Sequence, residues 1–192
     1  MVEFGRANAN SEFTPAELTK VLRNFLGTAD LKVALRRDDN VHHDQIVING
    51  YYDPSEDEDN FASIFLFANF NPKQTSLSMK NLDWEKLCVD FIECAGHEII
   101  HQSQYRARNF DISAICFVSG QQDPIKRVEQ EYLGSADEVE AYGFSIAVDA
   151  FLRFRTKRLT AAQVSQSPIY RMYLDSFGIQ HPVVKQSLIF SC

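Results

Sequence analysis

The sequence is short of cysteine, glycine, proline and basic charge. Its four cysteines, Cys88, Cys94, Cys116 and Cys192, include no C-x-x-C pair. That excludes a thiolate zinc knuckle and a thioredoxin-like redox motif. Eight glycines and six prolines, nowhere gathered into a run, leave no Gly/Ser-rich or Pro-rich linker. Long apolar runs are missing as well. The longest, near Ile64–Ala68, is far too short to span a bilayer, so no membrane partner is expected. Met1–Arg6 carries no apolar core of a secretory signal. Two disulfides are arithmetically possible, but with no such signal the cysteines are expected to be reduced and mostly buried, and the location cytoplasmic. Basic residues number 19 against 26 acidic ones, a net charge of −7. Cationic contacts dominate affinity for a nucleic-acid backbone, so no nucleic-acid partner is expected.

What is present is ordinary for a globular chain. Hydrophobic residues make up 45% of 192, with 15 Phe and 7 Tyr to fill an interior. This length buries a core without disulfide or metal staples. The expectation is one domain over residues 1–192, with 1–10 and 181–192 as tails.

Local patterns set the element order. Residues 11–27 read as a helix, with Thr14-Pro15-Ala16-Glu17 as cap, first-turn proline and capping-box Glu, and Gly27 closing it. Residues 30–53 read as strands: Leu31–Leu35 alternates, and Gln45–Tyr52 carries Asn49-Gly50, a hairpin signal. Ser55–Asn60 reads as a solvated acidic loop that blunts a sheet edge. Phe61–Phe70 is strongly β-prone, and 72–80 offers a further short strand. Then the period changes to helical over Asp83 to about Arg108. Residues 109–134 read as a mixed connection with a turn at Asp123-Pro124. A second long helix follows over Ser135 to about Lys157, and a third over Thr160–Phe177 with Pro168 as a candidate break. Helix, then strands, then helices makes the class α+β.

Chemistry is concentrated in His97-Glu98-Ile99-Ile100-His101, an H-E-x-x-H sequence inside the first long helix. Residues four apart lie about 40° apart round a helix and about 6 Å along it. Both imidazoles therefore leave one face and can bind one Zn²⁺ at about 2.0–2.1 Å. Glu98 lies about 100° round, beside the metal, where its carboxylate can act as general base on a water that zinc acidifies to a pKa of roughly 7. About 0.01 such matches are expected by chance on this composition.

A catalytic zinc takes three protein ligands plus water. The metzincin extension is excluded, because Gln104 and Ala107 stand where its glycine and third histidine belong. An acidic residue on the second long helix remains: Glu138 or Glu140, 37 and 39 residues after His101. Glu138 has a competing role as the capping-box partner of Ser135. Asp137 suits the positive end of the helix dipole.

At this point the sequence resembles a gluzincin-type zincin, an H-E-x-x-H helix followed by a Glu-bearing helix. Glu138-Val139-Glu140-Ala141-Tyr142-Gly143-Phe144 is similar to the E-x-E-A-N-x-F-A pattern of ImmA/IrrE-type metallopeptidases. The match covers roughly residues 91–150, with Tyr142 in place of the family's Asn. The chain is also similar to small phage-encoded metallopeptidases, including His181-Pro182-Val183-Val184-Lys185. The resemblance implies Glu138 as third ligand. It implies a zincin-like fold: an N-terminal helix, a small, mainly antiparallel sheet, the H-E-x-x-H helix packed on the Glu-bearing helix, and C-terminal helices. It also implies a Tyr or His donor for the transition state, for which Tyr105 and Tyr142 are candidates, each with core packing as the alternative. Phe61–Phe70 would be the edge strand that holds a peptide by main-chain pairing, or a core strand.

Other residues are read more plainly. His42 and His43 are surface or turn residues, and Cys94 is packing rather than a ligand. Arg153, Arg155, Lys157 and Arg158 suit a helix C-terminus. The leading expectation is a zinc metallopeptidase acting on a protein or peptide substrate, with a phage or host protein as partner, in the host cytoplasm or a virion. The alternatives are a catalytically silent zincin-fold binding or virion-associated structural protein, and an acidic inhibitor of a basic partner.

Overall fold

The computed structural model describes residues 1–26, 31–59, 61–111, 117–155 and 160–177. It is α+β, and the chain divides into two compact units, Met1–Gln102 and Ser103–Cys192. The boundary falls inside one helix.

The first unit is built on a three-stranded sheet. Strands β2 (Leu31–Arg37), β4 (Ile64–Phe70) and β3 (Val47–Tyr52) lie in the order β2-β4-β3. β4 pairs parallel with β2 from Leu31↔Ile64 and antiparallel with β3 through Asn49↔Phe67. The sheet is thus mixed where a mainly antiparallel one was expected, and β4 is its centre, not an edge. That placement follows from composition: both neighbours satisfy the backbone of the most apolar strand, and Ile64, Leu66, Ala68 and Phe70 are almost wholly buried. A second, two-stranded sheet joins β1 (Glu12–Phe13) to β5 (Leu77–Ser78).

Helices cover the buried face. α2 (Pro15–Leu26) starts later than the pattern 11–27 suggested, because 12–13 are taken by β1. Its capping box is made: Glu17 Oε2 accepts the Thr14 N–H at 2.8 Å, and Thr14 Oγ1 accepts the Glu17 N–H at 3.2 Å. Leu18 and Leu22 of α2 meet Val33, the inner residues of β4, and Leu87, Cys88, Phe91 and Ala95 of α4 (Trp84–Ala107) in one core. A Leu or Phe fully buried there contributes about 1.5–3 kcal/mol. Residues expected as an N-terminal tail include a short helix, α1 (Val2–Ala7), which lies on Trp84, and Trp84 Nε1 donates to the Met1 carbonyl at 2.9 Å. Gly5 permits this, since a Cβ there would sit 2.1 Å from Trp84 Cδ1.

Two turn signals resolve differently. Asn49-Gly50 is not a hairpin turn but lies inside β3. The glycine is there for close approach: a Cβ would fall 2.7 Å from Leu66 Cδ2 and 2.9 Å from Cys94 Sγ. Gly50→Ala is therefore expected to overpack the sheet–helix contact by about 1–3 kcal/mol, read as a lowered thermal midpoint. The acidic stretch after β3 is not a loop but a short helix, α3 (Pro54–Glu58), capped by Asp53. Asp57 turns inward, 5% exposed, and accepts from Tyr52 Oη at 2.9 Å, Ser63 Oγ at 3.3 Å and Gln102 Nε2 at 3.2 Å. A buried carboxylate persists only with such donors. This one fixes α4 at the residue after His101.

The second unit is helical. It holds the last turn of α4, then α5 (Pro124–Leu133), α6 (Ala136–Phe154), α7 (Ala161–Val164) and α8 (Pro168–Phe177). α5 corrects the reading of 109–134 as a connection. Asp123-Pro124 is an N-cap and first-turn proline, with Asp123 Oδ1 accepting the Ile125 N–H at 2.9 Å. Pro168 does separate α7 from α8, and Thr160 with Gln163 forms a capping box on α7. Leu133, Val139, Ile146, Ala150, Val164 and Tyr173 make the core, and Tyr173 Oη donates to the Leu133 carbonyl at 2.9 Å. Gly27, Asn60, residues 112–116, Lys157, Arg158, and the 181–192 segment with His181-Pro182 and Cys192 lie outside the described residues. Among the described residues, no helix is long and apolar enough to cross a membrane.

Candidate metal centre

α4 begins where Asp83 Oδ1 accepts the Lys86 N–H at 2.9 Å, and runs unbroken for 24 residues. The H-E-x-x-H sequence thus sits in the middle of a long, well-anchored helix. His97 and His101 are each partly buried, with their Nε2 atoms 3.1 Å apart and rings nearly perpendicular at 80°. Two nitrogens bound tetrahedrally at about 2.0–2.1 Å from one ion would be about 3.3 Å apart. The observed spacing is close to that value and is also within hydrogen-bond distance for the two ring nitrogens.

α6 supplies the third donor. Ser135 caps it, its Oγ accepting the Glu138 N–H at 3.4 Å, while the Ser135 N–H is satisfied by the Tyr132 carbonyl at 3.1 Å. The capping role therefore does not call on the Glu138 carboxylate, which is buried at 8% exposure. His97, His101 and Glu138 each offer a ligand atom, and these atoms all lie within 4.8 Å of one another. Two imidazoles and a carboxylate are a donor set that suits zinc, so the residues present can hold a metal ion. Glu140 is not part of this group. It is exposed, and its Oε2 accepts from Gln104 Nε2 at 2.9 Å.

Glu98 is 7% exposed, on the same helix as the two histidines. It lies one turn from Cys94. Burial, with Glu98, Asp90 and Glu93 adding negative charge, pushes the Cys94 thiol up to about 12, and burial pushes Cys88 up to about 11. Both thiols are free. Because their folded-state pKa values are raised, folding favours the thiol form. The linked stability is complete below about pH 8.5 and is lost as pH rises towards 11–12. Cys88 and Cys94 are accordingly expected to resist alkylation by iodoacetamide at pH 8 in the folded chain and to react on denaturation, as peptide mass mapping would read.

The two tyrosine candidates are differently placed. Tyr105 lies under the Arg108 guanidinium, 4.2 Å from ring centroid to Cζ. Tyr142 packs edge-on against Tyr173, with ring centroids 5.6 Å apart. A third tyrosine was not legible in the sequence. Tyr132, on the last turn of α5, hydrogen-bonds with Glu138 and Tyr142; the residue is half exposed, but desolvation of the hydroxyl and then the Glu138 charge raise its pKa above the usual tyrosine range. It therefore remains a donor to the Glu138 carboxylate at any physiological pH. Recognising Asp123-Pro124 as a helix start would have placed Tyr132 just before Ser135 and exposed the pairing.

The remaining readings are direct. His42 and His43 are exposed, and Arg153 pairs with Asp149 at 2.8 Å one helical turn away. Asp137, expected to favour the helix dipole, also forms a two-pronged ion pair with Arg108 at 2.8 and 2.6 Å. Comparison of the chain with protein-family models, with curated proteins and with solved structures found no match.

Proposed function

We propose that this chain is a zinc-dependent metallopeptidase of the gluzincin type, hydrolysing peptide bonds in a protein or peptide substrate. The observation that carries the reading is the convergence of His97, His101 and Glu138 donor atoms within 4.8 Å. The sequence order H-E-x-x-H followed by a Glu-bearing helix supports it.

Bound zinc supplies Lewis acidity, polarising a carbonyl and lowering the pKa of water to about 7. The protein's own groups do the rest. Glu98 accepts the proton of the attacking water and returns it to the leaving amine. Its burial keeps bulk water from competing for that proton. His97 and His101, one turn apart on a rigid helix, hold their nitrogens in place without a folding cost at the moment of binding. Tyr132 orients the Glu138 carboxylate through its hydroxyl, as groups behind a metal ligand commonly do. The net charge of −7 argues against a nucleic-acid substrate.

The test is cleavage of a broad library of fluorescence-quenched peptides. Hydrolysis is expected, abolished by 1,10-phenanthroline and restored by added zinc. Absence of cleavage by zinc-loaded protein across the library would favour a catalytically silent binding protein.

A further inference from the structure

The metal ligands on α4 belong to a longer stripe. His97, His101, Gln104 and Arg108 follow one another at spacings of four, three and four, so all lie on one face of the helix and its continuation. The lower half of that stripe grips the first turn of α6 at three points. Gln104 Nε2 donates to the Asp137 carbonyl at 3.0 Å and to Glu140 Oε2 at 2.9 Å. Arg108 donates Nη1 and Nη2 to the two oxygens of Asp137 at 2.8 and 2.6 Å. The guanidinium is itself laid on the Tyr105 ring at 4.2 Å. Its side chain is 26% exposed and that of Asp137 18%, so the pair is not a loose surface contact.

The gripped residues bracket Glu138 on both sides. We infer that Gln104 and Arg108 are positioning residues for the metal centre, setting where α6 delivers the Glu138 carboxylate relative to His97 and His101. Neither belongs to the cluster of candidate donors. The physical reason is rigidity. A forked guanidinium on a carboxylate fixes direction as well as distance, and the amide bridge fixes the backbone one residue from the ligand. Glu138 stands at the third position of α6, where a helix frays most readily. Without the clamp, the two imidazoles remain preorganised by α4, but the third donor must be ordered as the metal binds. This inference rests on the metal-centre reading above and deepens it.

The experiment measures zinc affinity by competition with a chromophoric chelator, and the visible absorption of the cobalt-loaded protein. Wild type, Arg108→Gln, Gln104→Ala and the charge swap Arg108→Asp/Asp137→Arg are compared, with apo-protein thermal midpoints alongside. The expected result is zinc binding weakened about 10–100-fold in Arg108→Gln and Gln104→Ala, the loss typical of removing groups behind a metal ligand, with changed cobalt bands. The swap is expected to recover part of the affinity. A purely structural role would lower the apo midpoint and leave affinity and cobalt bands alone. Zinc affinity within twofold of wild type in both single variants overturns the inference. If Arg108→Gln does not fold, Gln104→Ala alone decides, since it removes no charge. A wild-type chain that takes up no zinc overturns the metal-centre reading and the inference with it. Wild type and variants binding equally well overturn only the inference.

Discussion

Glu98→Gln is expected to keep its zinc and lose peptide hydrolysis by about 10²–10⁴-fold. The substitution preserves size and hydrogen-bonding shape, so α4 and its buried face should be undisturbed. It removes the single function that matters, a carboxylate able to take a proton from water. Glu98 is not one of the clustered donors, so zinc content should stay at the wild-type value. The loss should fall on kcat, because the proton is in flight only in the transition state. Retained hydrolysis in the Gln variant would assign the base elsewhere.

His97→Ala should have the opposite signature. Zinc affinity is expected to fall on the order of 10²–10³-fold, if each ligand carries a comparable share of the roughly 10–16 kcal/mol seen for four-ligand sites. Activity disappears with the metal. Stability follows by mass action: at 100 times Kd, bound zinc stabilises the wild type by about 2.7 kcal/mol. A chelator should therefore lower the wild-type thermal midpoint by about 5–10 °C and leave His97→Ala unmoved. Glu138→Ala should behave like His97→Ala. Glu140→Ala should bind zinc far more nearly as wild type does, because Glu140 is not one of the clustered donors and its Oε2 accepts from Gln104.

The candidate metal cluster was legible in large part because the H-E-x-x-H signal is local. H-E-x-x-H places two imidazoles by helix geometry alone, and the Ser135 cap placed Glu138 on a helix start. What was not legible depends on partners distant in sequence. β4 pairs parallel with β2, thirty-three residues back at Leu31↔Ile64, and no local pattern announces which strand becomes central. Asn49-Gly50 is a turn pair by composition, yet Gly50 is demanded by Leu66 and Cys94. Asp53 and Asp123 each precede a proline, a pair that serves equally as turn or as helix cap and first residue. Reading Ser55–Asn60 as a loop and Asp123-Pro124 as a turn hid α3 and α5, and with them the buried Asp57 and the Tyr132 behind Glu138. Arg108 and Asp137 look like solvated charges until the helices are packed.

Whether one zinc ion binds to His97, His101 and Glu138 is decided by X-ray absorption at the zinc edge, with metal content measured on the same sample. One equivalent of zinc is expected, with a shell of nitrogen and oxygen at about 2.0–2.2 Å that includes two imidazoles, and no sulfur. A chain that takes up no zinc, or a zinc–sulfur distance near about 2.3 Å implicating Cys94, would contradict this reading.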